Sequence, residues 1–194
     1  IIDFTSATDF ESRMDYAVDK QIPIIECSTG LSEEQMDYLK KASEKVAVLK
    51  SANMSLGINL LMKILKDATK VLSPAGYDIE LVEKHHNQKL DAPSGTAITL
   101  AEGVIAGLPA KTEWVNYAPG IEHAANRIGS PAEATPRQVV IDSVREGMVP
   151  GIHTVTYESE DDILELKHTI KNRRTLAMGA VIAAEFLCCL LYTS

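Results

Sequence analysis

The chain has 194 residues, of which 45% are hydrophobic and 24% are charged, proportions that are typical of a globular protein. Its formal net charge of −8 disfavours nucleic acid and anionic membranes as partners, so an anionic ligand must be attracted by a local cluster of cations. No apolar run is long enough to span a membrane, and an odd count of three cysteines (Cys27, Cys188 and Cys189) favours the reducing cytoplasm over a disulfide framework.

The first fifty residues alternate between strand-like and helix-like patterns. Three apolar strands are predicted, at Ile1–Phe4, Ile22–Cys27 and Val46–Leu49. Thr8 and Glu11 predict a capping box for the first intervening helix, and Ser32 and Gln35 predict another for the second. This β-α-β-α-β rhythm indicates a parallel, doubly wound sheet with right-handed crossovers.

The pattern changes after Ser55. A helix is predicted from about Leu56 to Leu72, and the strand Tyr77–Val82 then leads into a loop that carries two histidines. The next helix is predicted over Ala97–Leu108. The polar stretch Asn116–Arg137 is longer than a loop that merely connects two elements. Its length favours either a mobile loop over a site or a subunit contact.

The last third of the chain contains strands and a closing helix. The strands are predicted at Gln138–Arg145, Ile152–Glu158 and Ile163–Thr169, and the helix at Leu176–Leu191. The turns between these strands suit antiparallel neighbours. Together with the first part of the chain, this pattern predicts an α/β protein in which a partial parallel sheet is followed by an α+β region.

His85, His86 and Lys89 place two imidazoles and an ammonium group within five positions of the loop. Histidine has an intrinsic pKa of about 6.5 and donates a proton near neutral pH, whereas lysine supplies a compact, stable positive charge. Acting together, they suit the protonation of an acidic substrate. If the pair stood alone, the better interpretation would be two histidines that end an edge strand and hydrogen-bond to solvent.

The segment that follows favours the site over that alternative. Pro93 restricts the approach to a turn, Ser94 or Thr96 can cap the next helix, and Gly95 allows close backbone approach. The first N–H groups of such a helix attract an anion, and a carboxylate fits there. Without the nearby cations, an ordinary capped helix start would be the default interpretation.

Asp91 is expected to shape the loop as a hydrogen-bond acceptor rather than to act as a base, because a second carboxylate would repel an acidic substrate. A metal site made of His85, His86 and Asp91 is disfavoured, because adjacent histidines usually point apart and no further ligand cluster supports it. We therefore predict no metal ion.

Two short segments follow the predicted parallel strands, where a doubly wound sheet binds its ligands. Cys27, Ser28, Thr29 and Gly30 end one strand, and Ser51–Ser55 ends the next. Their small side chains would let a flat ring or a ribose lie against the backbone. Each segment alone indicates no more than a turn with a helix cap.

These residues identify a family. The decisive motif is His85-His86-x-x-Lys89-x-Asp91-Ala92-Pro93-Ser94-Gly95-Thr96-Ala97. Supporting segments are Asp3-Phe4-Thr5, Ser28-Thr29-Gly30, Ser51 to Asn59, Val144-Arg145-Glu146-Gly147, Gly151-x-His153-Thr154 and Arg174-x-x-Ala177-x-Gly179-Ala180. From Ile1 to about Phe186, the chain resembles the dihydrodipicolinate reductase family, nicotinamide-dependent enzymes of the diaminopimelate route to lysine.

The resemblance implies roles for particular residues. His85 would be the proton donor, with Lys89 assisting, and the substrate carboxylates would be bound by His86, Lys89, Gly95 and Thr96. The nicotinamide and its ribose, of NADPH or NADH, would be lined by Cys27, Ser28, Thr29, Ser51, Ala52, Asn53 and Met54. The product would be tetrahydrodipicolinate.

The resemblance also implies an architecture. Residues 1–55 with 173–194 would form the C-terminal part of a Rossmann-type dinucleotide-binding domain. Residues 56–172 would form a substrate-binding and oligomerisation domain with a mixed, largely antiparallel sheet. Family members are usually homotetramers, so we expect a homotetramer here.

Three departures from the family are visible. The chain starts inside a strand and contains neither the Gly-x-x-Gly-x-x-Gly phosphate loop nor the residue that recognises the adenosine ribose, so we expect about seventy further residues upstream in a longer protein. Cys27 and Ile152 replace the glycine and glutamate of many members, and the end from Leu187 to Ser194 is atypical. Two alternatives therefore stay open: a non-catalytic oligomerisation module, and another two-domain oxidoreductase, which the motif at 85–97 disfavours.

Overall fold

A computed structural model describes residues 1–190 of the chain. They divide into two compact units, one formed by Ile1–Leu56 with the segment from Arg174 onward, and the other by Gly57–Arg173. Within these described residues, no helix combines the length and the apolar character needed to cross a membrane.

The first unit is a three-stranded parallel sheet with helices. Its elements are β1 (Ile2–Asp3), α1 (Phe10–Lys20), β2 (Ile24–Glu26), α2 (Glu33–Ser43), β3 (Val48–Lys50) and α5 (Arg174–Leu190). The strands lie in the order β1-β2-β3, and both neighbouring pairs are parallel. This confirms the doubly wound rhythm predicted for this part of the chain. Helix α5 begins two residues earlier than predicted, and its predicted end at Leu191 lies outside the described residues.

The two predicted capping boxes have different outcomes. The Ser32 hydroxyl accepts a hydrogen bond from the Gln35 N–H (3.2 Å) and the Gln35 side chain accepts one from the Ser32 N–H (3.1 Å), which confirms the second box. The first box, of Thr8 and Glu11, is wrong. Asp9 is the N-cap of α1, in a left-handed conformation, so Thr8 lies one residue too early to cap the helix.

Helices cover both faces of the small sheet, because adjacent residues of β2 point to opposite sides. Ile24 belongs to a core with Phe10, Met14 and Leu39 from α1 and α2. Ile25 belongs to a second core with Cys27, Met54, Ala180 and Leu187, which packs α5 against the other face.

The second unit is a six-stranded sheet with two long helices. Its elements are α3 (Leu56–Leu72, whose first residue belongs to the first unit), β4 (Asp78–His85), α4 (Gly95–Gly107), β5 (Glu113–Tyr117), β6 (Arg127–Ile128), β7 (Gln138–Arg145), β8 (Ile152–Glu158) and β9 (Ile163–Thr169). The strand order is β6-β5-β7-β4-β8-β9. Part of the stretch predicted as a long loop, Asn116–Arg137, is thus strand, because β6 pairs with the end of β5.

The sheet is mixed, as predicted. Strands β8 and β9 are antiparallel neighbours, as predicted, whereas β7 and β8 are not neighbours. Strand β4 lies between β7 and β8, parallel to β7 and antiparallel to β8. The connection over residues 146–151 passes across the end of β4, where the Glu146 N–H donates to the His85 carbonyl (2.8 Å) and the Asn87 N–H donates to the Gly147 carbonyl (3.2 Å). Six residues easily span two strand spacings, which amount to about 10 Å.

Strand β4 continues to His85, three residues beyond its predicted end at Val82. Its last residues pair with Ser143, Val144 and Arg145 of β7. Helix α4 begins at Gly95 rather than Ala97, because the Ser94 hydroxyl accepts a hydrogen bond from the Ala97 N–H.

The main hydrophobic core of the second unit lies between its two long helices and the sheet. It joins α3, α4 and one face of the sheet, with its largest fully buried side chains at Ile58, Leu65, Leu81, Leu100, Ile141 and Tyr157. Because side chains alternate along β4, the face that carries Leu81 also carries Glu83 and His85. The core therefore continues directly into a set of buried polar groups.

Candidate functional site

Four polar side chains converge where β4, β7 and β8 meet. Glu83 and His85 end β4, Arg145 is the β7 partner of His85, and His153 is the antiparallel β8 partner of Glu83. Glu83, His85 and His153 are all buried, and the Arg145 side chain is 8% exposed. Strand pairing thus gathers an acid, two imidazoles and a guanidinium on one face of the sheet.

Glu83 is the centre of this group. Its Oε2 forms a short hydrogen bond with His85 Nδ1, and its Oε1 accepts hydrogen bonds from Arg145 Nη2 (2.9 Å) and from the Ser94 N–H (3.3 Å). Burial opposes ionisation of this carboxyl, but the hydrogen bonds and charges of His85 and Arg145 lower its pKa to about 2. Glu83 is therefore a carboxylate near neutral pH.

His153 links the group to the start of α4. Its Nε2 hydrogen-bonds with the Ser94 hydroxyl (3.1 Å), and its ring stands edge-on to that of His85, with 5.3 Å between the ring centroids. Burial, followed by the charge of His85, lowers the pKa of His153 to about 3. His153 is thus neutral near pH 7, and its ring lines the site next to His85.

The structure does not assemble a metal site from His85, His86 and Asp91, because His86 hydrogen-bonds with Arg173 and Asp91 pairs with Lys89. A different set, Glu83, His85 and His153, offers three ligand atoms within 4.8 Å of one another. The guanidinium of Arg145 already neutralises Glu83 there. Hydrogen bonds with His85, Arg145 and the Ser94 N–H therefore give both carboxylate oxygens of Glu83 partners within the protein.

The loop after β4 carries further positive charge. The Lys89 ammonium donates to both carboxylate oxygens of Asp91, at 2.7 and 2.9 Å, and His86 Nε2 lies 3.2 Å from the Arg173 guanidinium. Desolvation and the positive charges of Arg173, His85, Lys89 and Arg145 lower the pKa of His86. A local cluster of cations thus exists in a chain whose formal net charge is −8.

Helix α4 starts beside these cations. Ser94 caps it, Gly95 is its first residue, Thr96 is buried, and the Arg145 guanidinium donates to the Asp91 carbonyl (2.6 Å), which ties down the preceding loop. The positive end of the helix dipole adds to the attraction for an anion. This arrangement can bind a carboxylate near a histidine that can exchange a proton.

In the first unit, the segments after β2 and β3 lie side by side because their strands are parallel neighbours. The Ser51 N–H donates to the Glu26 carbonyl (3.3 Å), and the Lys50 ammonium donates to the Ser28 carbonyl (3.1 Å). Burial and the charges of Glu26 and Asp3 raise the pKa of Cys27 to about 12. The Cys27 thiol is therefore no nucleophile at neutral pH.

This edge also contains polar atoms suited to a ligand. Glu26 Oε2 and the Ser28 hydroxyl are buried and have no hydrogen-bond partner within the described part of the chain. Thr29 is exposed, and Ser51, Ala52 and Asn53 are half-buried. Buried polar groups normally have partners, so this edge fits a ligand with hydroxyl or amide groups, as a nicotinamide nucleotide has.

Each set of predicted site residues is gathered within one unit: His85, His86, Lys89, Gly95 and Thr96 in the second, and 27–29 with 51–54 in the first. Glu83, Arg145 and His153 were not predicted as site residues. Glu83 precedes His85 by two positions, so strand alternation was a usable signal for it. Arg145 and His153 are brought to the site by the order β7-β4-β8, which no local pattern contains.

Comparison with known proteins identifies the family. A sequence model described as "Dihydrodipicolinate reductase, N-terminus" matches residues 1–54, and one described as "Dihydrodipicolinate reductase, C-terminus" matches residues 57–192. Similar relatives are the 4-hydroxy-tetrahydrodipicolinate reductases of Caldanaerobacter subterraneus subsp. tengcongensis (37% identical), Clostridium tetani (35%) and Clostridium novyi (39%). These alignments cover 96% of this chain and 69–70% of each relative.

A solved structure supports the fold. Dipicolinate-bound dihydrodipicolinate reductase from Paenisporosarcina sp. TG-14 superposes with a TM-score of 0.72 at 23% identity, over 96% of this chain and 67% of that one. The enzymes of this family use a nicotinamide cofactor. Two adjoining domain matches, the relatives and the shared fold lead to one conclusion: this chain belongs to the dihydrodipicolinate reductase family.

Proposed function

We propose that this chain carries out the NADPH- or NADH-dependent reduction of 4-hydroxy-tetrahydrodipicolinate to tetrahydrodipicolinate, in the diaminopimelate route to lysine. Relatives that are 35–39% identical carry that reductase name. The observation that carries the proposal is the cluster of cations around His85 and the start of α4. In a chain whose formal net charge is −8, such a local cluster favours the binding of an anion.

His85 is the proposed proton donor, and Lys89 assists it. His86, Lys89, Gly95 and Thr96 are proposed to bind the two substrate carboxylates. The Lys89 ammonium donates hydrogen bonds to both carboxylate oxygens of Asp91. These bonds support carboxylate binding by Lys89, because a substrate carboxylate can take the place of the Asp91 carboxylate. These residues attract and orient the dianion, and His85 delivers a proton to it.

Residues 1–55 with 173–194 are proposed to bind the dinucleotide, and Cys27, Ser28, Thr29 and Ser51–Met54 would hold its nicotinamide and ribose. When bound, the cofactor supplies a hydride to the ring carbon of the conjugated imine. The Ser28 hydroxyl and one Glu26 carboxylate oxygen have no hydrogen-bond partner within the described residues. They support this proposal because a polar ligand at this edge could hydrogen-bond with them.

Residues 56–172 are proposed to bind the substrate and to form a homotetramer. Strand β9 is an edge strand, and its Ile163 and Leu164 side chains are exposed. Light scattering of the purified chain tests this assembly. A monomer at all concentrations would contradict the tetramer.

The substrate site is tested with pyridine-2,6-dicarboxylate, a planar dianion, by calorimetry. We expect binding by the wild-type chain and an affinity about ten- to a hundredfold lower in Lys89→Ala, the cost of losing one charged hydrogen bond. Lys84→Ala is the matched control, since Lys84 alternates to the other face of β4 and its ammonium lies 4.0 Å from the surface carboxylate of Glu146. No binding by folded wild-type chain would contradict the substrate site.

Catalysis is tested by following oxidation of the reduced nicotinamide spectroscopically. We expect His85→Ala to lower kcat by about 10²- to 10⁴-fold, as loss of a general acid does. Unchanged turnover in both His85→Ala and Lys89→Ala would contradict the acid roles. A tetramer that neither binds the dicarboxylate nor turns over would instead support the non-catalytic oligomerisation module.

A further inference from the structure

We propose that Glu83 is a positioning residue for the reduction: it holds the His85 ring with Nδ1 protonated, so that Nε2 is the nitrogen that gives a proton to the substrate. This inference rests on the proposed function, because it assigns His85 the proton transfer described above.

The first step is the contact between the two side chains. Glu83 and His85 are two positions apart on β4, so they project from the same face of the strand. Glu83 Oε2 forms its short hydrogen bond with Nδ1 of the ring. A carboxylate can only accept, so the proton of this bond resides on Nδ1.

The second step is that Glu83 cannot easily turn away. Its other oxygen, Oε1, accepts from Arg145 Nη2 at 2.9 Å and from the backbone N–H of Ser94 at 3.3 Å. The side chain is fully buried, and its lowered pKa keeps it a carboxylate. Residues from β7 and from the start of α4 therefore fix the acceptor to which the imidazole is bound.

The third step concerns the other side of the ring. A Cβ placed on Gly151 would lie 3.1 Å from His85 Nε2, so the glycine leaves that nitrogen uncrowded. His153 stands edge-on to the ring and limits its rotation. With Nδ1 bound to Glu83, Nε2 is the nitrogen left to meet a substrate.

The proton balance follows from this arrangement. The imidazolium of His85 carries one proton on each nitrogen, and the N–H bond at Nε2 breaks as the proton passes to the substrate. Its electron pair stays on Nε2, the Nδ1 proton stays in the bond to Glu83, and the carboxylate stays ionised. Glu83 thus selects the tautomer and stabilises the charged ring, as the aspartate of a Ser-His-Asp triad does.

Glu83→Gln tests the proposal, with Glu80→Gln as the matched control on the exposed face of the same strand. We expect Glu83→Gln to lower kcat by about ten- to a hundredfold with KM unchanged, because binding of the dianion does not involve Glu83. Glu80→Gln should match the wild type.

A merely structural role would lower the melting temperature of Glu83→Gln but leave kcat of the folded variant unchanged, and that result would overturn the proposal. A second measurement needs no variant: nitrogen-15 NMR of histidine-labelled wild-type chain should show neutral His85 protonated at Nδ1. Protonation at Nε2 would overturn the proposal. Wild-type chain without turnover contradicts the proposed function, whereas active wild type with an equally active Glu83→Gln contradicts only the positioning role.

Discussion

Two ion pairs at the site differ in burial, and this difference separates their roles. Glu83 and Arg145 are paired with side chains that are 0% and 8% exposed, so removal of one partner would leave an uncompensated charge at a cost of about 3–5 kcal/mol. The carboxylate of Asp91, by contrast, is 58% exposed, and its pair with Lys89 is worth about 1 kcal/mol or less. The first pair is therefore permanent, whereas Lys89 can exchange Asp91 for a substrate carboxylate.

At the same scale, the space around His85 Nε2 leads to a prediction. We expect Gly151→Ala to displace the ring by a few tenths of an ångström and to lower kcat about tenfold, since catalysis is sensitive to small misplacements. Gly147→Ala is the control, because that glycine lies in the same connection and a Cβ there would have no atom within 4 Å. Steady-state kinetics of both variants checks this, and an equal fall in both would point to strain in the connection rather than to crowding of His85.

At the scale of elements, α4 packs against α3 through two glycines with different surroundings. A Cβ on Gly103 would lie 3.7 Å from Leu65, an ordinary contact, whereas a Cβ on Gly107 would lie 3.0 Å from two carbons of Thr69. Thr69 cannot move freely, because its hydroxyl bonds with both Tyr157 (2.6 Å) and the Leu65 carbonyl (2.8 Å).

We therefore expect Gly103→Ala to raise the free energy of unfolding by about 0.5–1 kcal/mol, the helix-propensity gain of alanine over glycine. Gly107→Ala should lower it, because the overlap with Thr69 outweighs that gain. Urea denaturation of the two variants measures both values. A stabilised Gly107→Ala would show that α3 and α4 separate more readily than their packing indicates.

The elements also show where sequence patterns suffice. The bounds of α3 match the prediction because a long amphipathic stripe, with Ile58, Leu61 and Leu65 buried, marks them locally. The end of β4 was misplaced by three residues, because charged and imidazole side chains at Glu83–His85 are typical of a loop. They lie in the strand because hydrogen bonds to β7 and β8, distant in the sequence, extend the pairing there.

At the scale of the whole molecule, stability should depend on pH through the buried site. In the folded chain, the pKa of His153 is lowered from 6.5 to about 3. Below pH 6.5, His153 is therefore protonated in the unfolded chain but stays neutral in the folded chain. Glu83 has its pKa lowered from 4.5 to about 2, so the unfolded chain again binds the proton first. Both groups therefore make the free energy of unfolding fall as the pH decreases, His153 from about pH 6.5 and Glu83 from about pH 4.5.

Urea denaturation at a series of pH values checks this. Between pH 6.5 and 4.5, His153→Gln should have a smaller dependence of stability on pH than the wild type. Below pH 4.5, the dependence should be reduced in Glu83→Gln as well. An unchanged slope between pH 6.5 and 4.5 in His153→Gln would contradict the burial of a neutral imidazole.

The sequence by itself determined the helices and strands of strong periodicity, the parallel character of the first unit, and the motif at 85–97. It did so because hydrophobic spacing, caps and turn residues act between neighbours along the chain. That motif also placed the proposed acid and the anion-binding helix start, since both lie within thirteen consecutive residues.

Tertiary structure alone decided that β4 lies between β7 and β8. The pairing of distant strands brings Arg145 and His153 onto the face of β4 that carries Glu83 and His85. Hydrogen bonding and charge then act through space at these buried positions, where the low dielectric makes them strong. For that reason the sequence was enough to propose His85 as the proton donor, whereas the fold determined which nitrogen of its ring is held and what holds it.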